Sequence, residues 1–120
     1  MMNVAIKLFD NTEIKGSFEN YSAQAIADML NDQKKVMVVI GSSVVQRQQV
    51  SRIVPERETL GNVEVRLNDG TTITAQVDNY IPQEIADLLN DDSRTMSALG
   101  DVVVQRYSVV RITPISEPTT

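Results

Sequence analysis

Residues 3–55 and 62–114 align with one another without a gap, and 25 of the 53 aligned residues are identical. An internal repeat of this length constrains the fold more than any other feature of the chain, because whatever one copy forms the other is expected to form too. The heptad "IADMLND" (26–32) returns as "IADLLND" (85–91). Only residues 56–61 separate the copies, so the two are expected to pack together. The chain divides into a first module, residues 1–55, a short connector, 56–61, a second module, 62–115, and a flexible tail, 116–120. A unit of about 60 residues is barely large enough to bury a core alone.

Each copy opens with alternation of period two, the mark of strands with one buried face. Val4, Ile6 and Leu8 are followed by Ile14, Gly16 and Phe18, and in the second copy Val63, Val65 and Leu67 by Ile73, Ala75 and Val77. Asp10-Asn11 and Asp69-Gly70 stand between these runs and suit a tight hairpin turn. Ile26, Met29 and Leu30, matched by Ile85, Leu88 and Leu89, then follow helical spacing. Ser22 is the expected N-cap of the first helix, and Pro82 the first helical residue of the second. Asn31 and Asn90 are expected to end the helices in the left-handed conformation. Such short helices are unstable alone and must lie on a sheet. Two strands joined at Gly41 or Gly100 follow, then a last strand ending at Pro55 or Pro114. Each copy therefore reads as β-β-α-β-β-β.

Composition narrows the chemistry. The chain has neither cysteine nor histidine, which excludes Ser–His–Asp and Cys–His catalysis and removes the commonest metal ligand. No Gly-rich phosphate loop occurs, and no cofactor is expected. Without a signal-peptide pattern or a membrane-length apolar run, the expected setting is cytoplasmic, with no membrane partner. The net charge of −5 is lopsided: residues 1–55 balance at +1 and residues 62–120 at −5. An acidic balance argues against strong nonspecific binding to phosphate backbones.

Two segments carry a family resemblance. "VRLNDGTTITAQV" (65–77) resembles the first two strands of Sm-like proteins, while "VVVQRYSVVRITP" (102–114) and "VVQRQQVSRIVP" (44–55) resemble their terminal segment, particularly in Hfq-type proteins. The resemblance implies small bent barrels that form rings by edge-strand pairing and bind RNA. The family's Arg-Gly pair falls at Arg47-Gln48 and Arg106-Tyr107, keeping the arginine without the glycine. A helix also stands where the family runs directly into its third strand. The expected fold is β-rich α+β, a tandem duplication of a β-β-α-β-β(-β) Sm-like or small-barrel module packed about approximate internal two-fold symmetry.

Polar residues shared by both copies are the site candidates. Asn20, Tyr21, Gln46 and Arg47, with their counterparts Asn79, Tyr80, Gln105 and Arg106, form the candidate binding set. Tyrosine can stack on a ring and arginine can grip phosphate or carboxylate; the structural alternative is that both tyrosines anchor hairpin to helix. With 4% aromatic residues, no extended stacking platform is expected. Asp28 is expected to pair with Arg47 or Arg52, and Asp87 with Arg106 or Arg111. Asp28, Asp32, Asp87, Asp91 and Asp92 match no EF-hand loop, and no metal site is expected. The expected function is non-enzymatic assembly through exposed strand edges, as a homo-oligomer (ring or dimer) or with a protein partner. The near-neutral first copy of one chain would meet the acidic second copy of another. The alternative is RNA or nucleotide binding at repeated Tyr/Arg sites.

Overall fold

A computed structural model of the chain describes residues 2–56, 61–91 and 93–115. Most of the connector (57–60), the tail (116–120) and Asp92 lie outside the described residues. The first half runs β1 (Met2–Leu8), β2 (Glu13–Phe18), α1 (Ala23–Leu30), β3 (Met37–Ile40), β4 (Ser43–Gln46) and β5 (Val50–Pro55). The second half repeats that order as β6 (Val63–Leu67), β7 (Thr72–Ala75), α2 (Pro82–Asn90), β8 (Met96–Leu99), β9 (Val102–Gln105) and β10 (Val109–Pro114). A single 3-10 turn, Arg47–Gln49 or Arg106–Ser108, precedes the last strand of each half. The result is a compact, strand-rich α+β fold.

Local sequence accounts for most element ends. The Asp10 and Asp69 carboxylates accept from the Thr12 and Thr71 N–H groups, both at 2.9 Å, and Asn11 and Gly70 supply the positive φ of each hairpin turn. The Ser22 hydroxyl accepts from Ala25 N–H as the N-cap of α1, and Pro82 occupies the first turn of α2. Gly100 turns β8 into β9 at φ 64°, where a Cβ would lie 2.2 Å from the Gln76 carbonyl oxygen, so no other residue fits without backbone movement. Asn31 departs from expectation. It is right-handed, at φ −89°, and Asn90 is the last residue of α2 rather than a left-handed stop. The reason lies in the Asn31 side chain, which is engaged elsewhere.

The strands form three open sheets, ordered β2-β1-β5-β9-β8, β10-β6-β7 and β3-β4. Among the described residues no sheet closes on itself, so the closed barrel implied by the resemblance is not seen. The five-stranded sheet crosses from one half to the other, because β5 pairs antiparallel with β9, Arg52 opposite Val104 and Ile53 opposite Val103. The β8–β9 hairpin thereby becomes a wall between two cores. Met96 and Val103 enter the first core with Ile6, Ile26, Leu30 and Ile53, while Leu99, Val102 and Val104 enter the second with Val63, Val65 and Leu67. Alternation along a strand makes this possible, since successive side chains point to opposite faces.

Contact between the halves runs one way. Helix α1 packs on β8 and β9, and β5 on β9, whereas among the described residues β10 pairs only with β6 and β4 only with β3. A two-fold seam would contain every such contact twice. The packing is therefore head to tail instead of the expected two-fold arrangement. Its effect is visible in the helices: Ala23, Ile26, Ala27 and Leu30 of α1 are buried, but no described residue of α2 is.

Candidate functional site

Four side chains of the first half fasten it to the second. The Asn31 amide donates to the Met96 carbonyl and accepts from the Met96 N–H, both at 2.8 Å. The Tyr21 hydroxyl donates to the Asp101 carbonyl, while its ring packs on Phe18 with centroids 5.8 Å apart. Asp28 accepts from Arg94, and Arg52 donates to Asp69 at 3.2 Å. Asp28 thus pairs with neither Arg47 nor Arg52, because the seam brings Arg94 to its rim position. All four of these residues are polar positions held in both copies and so were visible in the sequence. Their partners Arg94, Met96 and Asp101 were not, since two of the three differ between the copies. Retained charge was the available signal: Lys35 stands where Arg94 does, and Asp10 where Asp69 does.

These contacts set the local electrostatics. Hydrogen bonds from Thr71, supplemented by Arg52, lower the Asp69 carboxyl from its ordinary 3.8 to about 2. Arg94 first, then Gln24, lowers that of Asp28. Among the described residues no cluster of three acidic ligands could hold a metal ion.

The candidate binding residues do not gather at a single place, though some of them meet. Arg47 and Gln105 share a cleft of about 460 Å³ at the seam, together with Leu30, Gln48, Val50 and Met96. Tyr80 lies in a different groove, and Asn20, Gln46 and Asn79 are exposed. The arginines are committed to backbone. Arg47 Nε donates to the Lys35 carbonyl at 2.6 Å, and Arg106 donates to the Leu89 carbonyl at 2.8 Å near the C-terminal end of α2. Positive groups there satisfy carbonyls that the helix leaves open. Tyr107, beneath the Arg106 guanidinium at 4.4 Å, was not singled out by sequence because it occurs in one copy only.

Two apolar surfaces remain. Val36, Met37, Val39 and Val44 are 51–64% exposed on and beside the isolated β3–β4 hairpin, whose inner residues Val38, Ile40 and Val45 belong to the first core. Between α2 and β10 runs a groove of about 310 Å³, lined by Tyr80, Ile85, Leu89, Val110 and Ile112. Among the described residues, its strand β10 has no neighbour on its outer edge. Among the described residues, no helix is long and apolar enough to cross a membrane. Compared with known proteins, the chain matches no family model, no curated protein and no solved structure.

Proposed function

We propose that the chain is a non-enzymatic assembly or adaptor protein, built from two tandem copies of one β-β-α-β-β-β module related to the Sm-like small barrels. It self-associates or takes a protein partner through open strand edges. The observation that carries this reading is the hairpin surface of Val36, Met37, Val39 and Val44, all more than half exposed beside strands with unpaired backbone. Contiguous apolar surface of this kind marks interaction sites, and an open strand edge is a template for another strand. The RNA-binding reading has less behind it, because Tyr21, Arg47 and Arg106 already spend their polar groups on the backbone of this chain.

Sedimentation or native mass measurement over a range of concentrations tests the proposal. The expected mass is a multiple of 13.3 kDa, or that of a chain with a captured protein. A strict 13.3 kDa monomer at high concentration, with no protein partner retained, overturns it.

A further inference from the structure

The assembly reading leaves the partner and the geometry open, and the inference here rests on that reading. We propose that the partner is a second copy of this chain, joined head to tail, with its β3–β4 hairpin seated in the groove between α2 and β10. Its β4 then pairs antiparallel with β10, as β9 already pairs with β5 inside one chain.

The sheets argue for this first. Within the chain, three strands of the first half and two of the second make the five-stranded sheet β2-β1-β5-β9-β8. What is left over is a three-stranded sheet, β7-β6-β10, and a two-stranded one, β4-β3. Joined between chains along β10 and β4, these give a second sheet of five in the corresponding order. Six strands end a sheet among the described residues. Only β4 and β10 are the counterparts of the two strands that meet at the internal seam. Carrying the internal register over by the repeat places Ile112 opposite Val44 of the next chain, and Arg111 opposite its Val45.

The apolar surfaces match in the same way. Met96 and Val103, which cover α1, are 3% and 0% exposed. Their counterparts Met37 and Val44 are 51% and 62% exposed, and the helix that lacks a cover is α2. A hairpin without a bed and a bed without a hairpin are left on each chain.

The polar stitches recur as well. Tyr80 would donate to the Ser42 carbonyl, as Tyr21 does to that of Asp101. Asn90 would exchange bonds with Met37, as Asn31 does with Met96. Asp87 would meet Lys35, and Arg111 would meet Asp10, with both signs of charge kept. Asp87 already accepts from Gln83 at 2.9 Å, as Asp28 accepts from Gln24, and Asp10 accepts from Thr12 as Asp69 does from Thr71. The local half of each arrangement is therefore set. Among the described residues, the side chains of Tyr80, Asn90, Arg111 and Lys35 make no hydrogen bond or ion pair within the chain. Such a contact is heterologous, each chain offering one hairpin and one groove, so addition continues until a ring closes or a filament grows.

The chain has no cysteine, so two single cysteine substitutions, at the exposed Val44 and at the half-buried Ile112 of the groove, give a clean test. Val44→Cys and Ile112→Cys are made in separate chains, each checked for native circular dichroism, then mixed and oxidised. Directly opposed residues of an antiparallel pair lie within disulfide reach. A cross-linked dimer is expected from the mixture and from neither variant alone, and a ladder from the double variant. Replacing Ile112→Cys by Thr113→Cys should abolish the link, since a one-residue shift turns the side chain to the other face. In parallel, Lys35→Asp should reduce the assembly to single chains where the unaltered protein is assembled, and adding Asp87→Lys should restore it. Self-linking of Val44→Cys alone, or assembly that persists without the mixed link and ignores both charge changes, overturns the head-to-tail arrangement while leaving assembly itself standing. A chain that never exceeds monomer mass and retains no protein removes both.

Discussion

The side chain of Asn31 and the backbone of Met96 exchange two hydrogen bonds of 2.8 Å, so one amide does for the seam what a strand neighbour does in a sheet. Asn31→Ala removes both and leaves the Met96 N–H and carbonyl without those partners in a half-buried place. The expected loss is about 1–3 kcal/mol. Asn31→Asp keeps the acceptor but sets a carboxylate against the Met96 carbonyl, and should be at least as damaging. Urea unfolding checks both, with the midpoint falling and the slope unchanged if the unfolding remains two-state.

Ser97 presents the opposite case. Its hydroxyl is fully buried on β8 and has no hydrogen-bond partner among the described residues, while the corresponding residue of the first half is the buried Val38. A polar group desolvated without compensation costs about 1–3 kcal/mol. Ser97→Ala removes the group at almost no change in volume. Calorimetry should show the melting temperature raised by a few degrees, and a fall would mean that the hydroxyl is bonded after all.

Sequence made the elements plain and the pairing obscure, for a physical reason. Alternation, turn residues and the Ser22 cap act over a few positions, and the turns at Asp10 and Asp69 formed as their residues dictate. The ladder between β5 and β9 depends on how two halves meet, which no local pattern records. Asn31 shows the difference well. At a helix end its identity reads as a left-handed stop, yet its amide is needed across the seam and its backbone stays right-handed. Likewise Asp28 sits on the helical rim as expected, but its cation comes from Arg94, 66 residues away. The candidate site shared this fate: Tyr21 was visible as a repeated residue, whereas its partner was only a backbone carbonyl.

Acid should loosen the seam. Asp69 carries its negative charge down to about 2 in the folded chain, below the ordinary 3.8, held there by Thr71 and then Arg52. A carboxyl depressed on folding contributes stability that is complete above its unfolded value and is lost as pH falls through the folded one. Asp28, lowered by Arg94, acts in the same sense. The urea midpoint is therefore expected to hold steady above pH of about 5 and to drop between about 4 and 2. Asp69→Asn retains an oxygen for Thr71 but ends the charge interaction with Arg52. It should lower the plateau and flatten part of the acid limb; an unchanged acid limb would leave Asp69 without a share in it.

Met37 and Met96 are the same residue at corresponding positions, and their surroundings decide what each is worth. Met96 lies 3% exposed between α1 and the five-stranded sheet, in a core it shares with Leu30, Ile26 and Val103. Met96→Ala leaves a cavity beneath the helix and should cost about 2–5 kcal/mol. Met37 is 51% exposed, so in dilute single chains Met37→Ala should change stability by no more than about 0.5 kcal/mol. Chemical unfolding at low protein concentration measures the pair directly. Equal losses would mean that Met37 is covered within the single chain, and the open face of the hairpin would then not exist. A large loss at Met96 alone ties the burial of α1 to a hairpin from the other half of the chain.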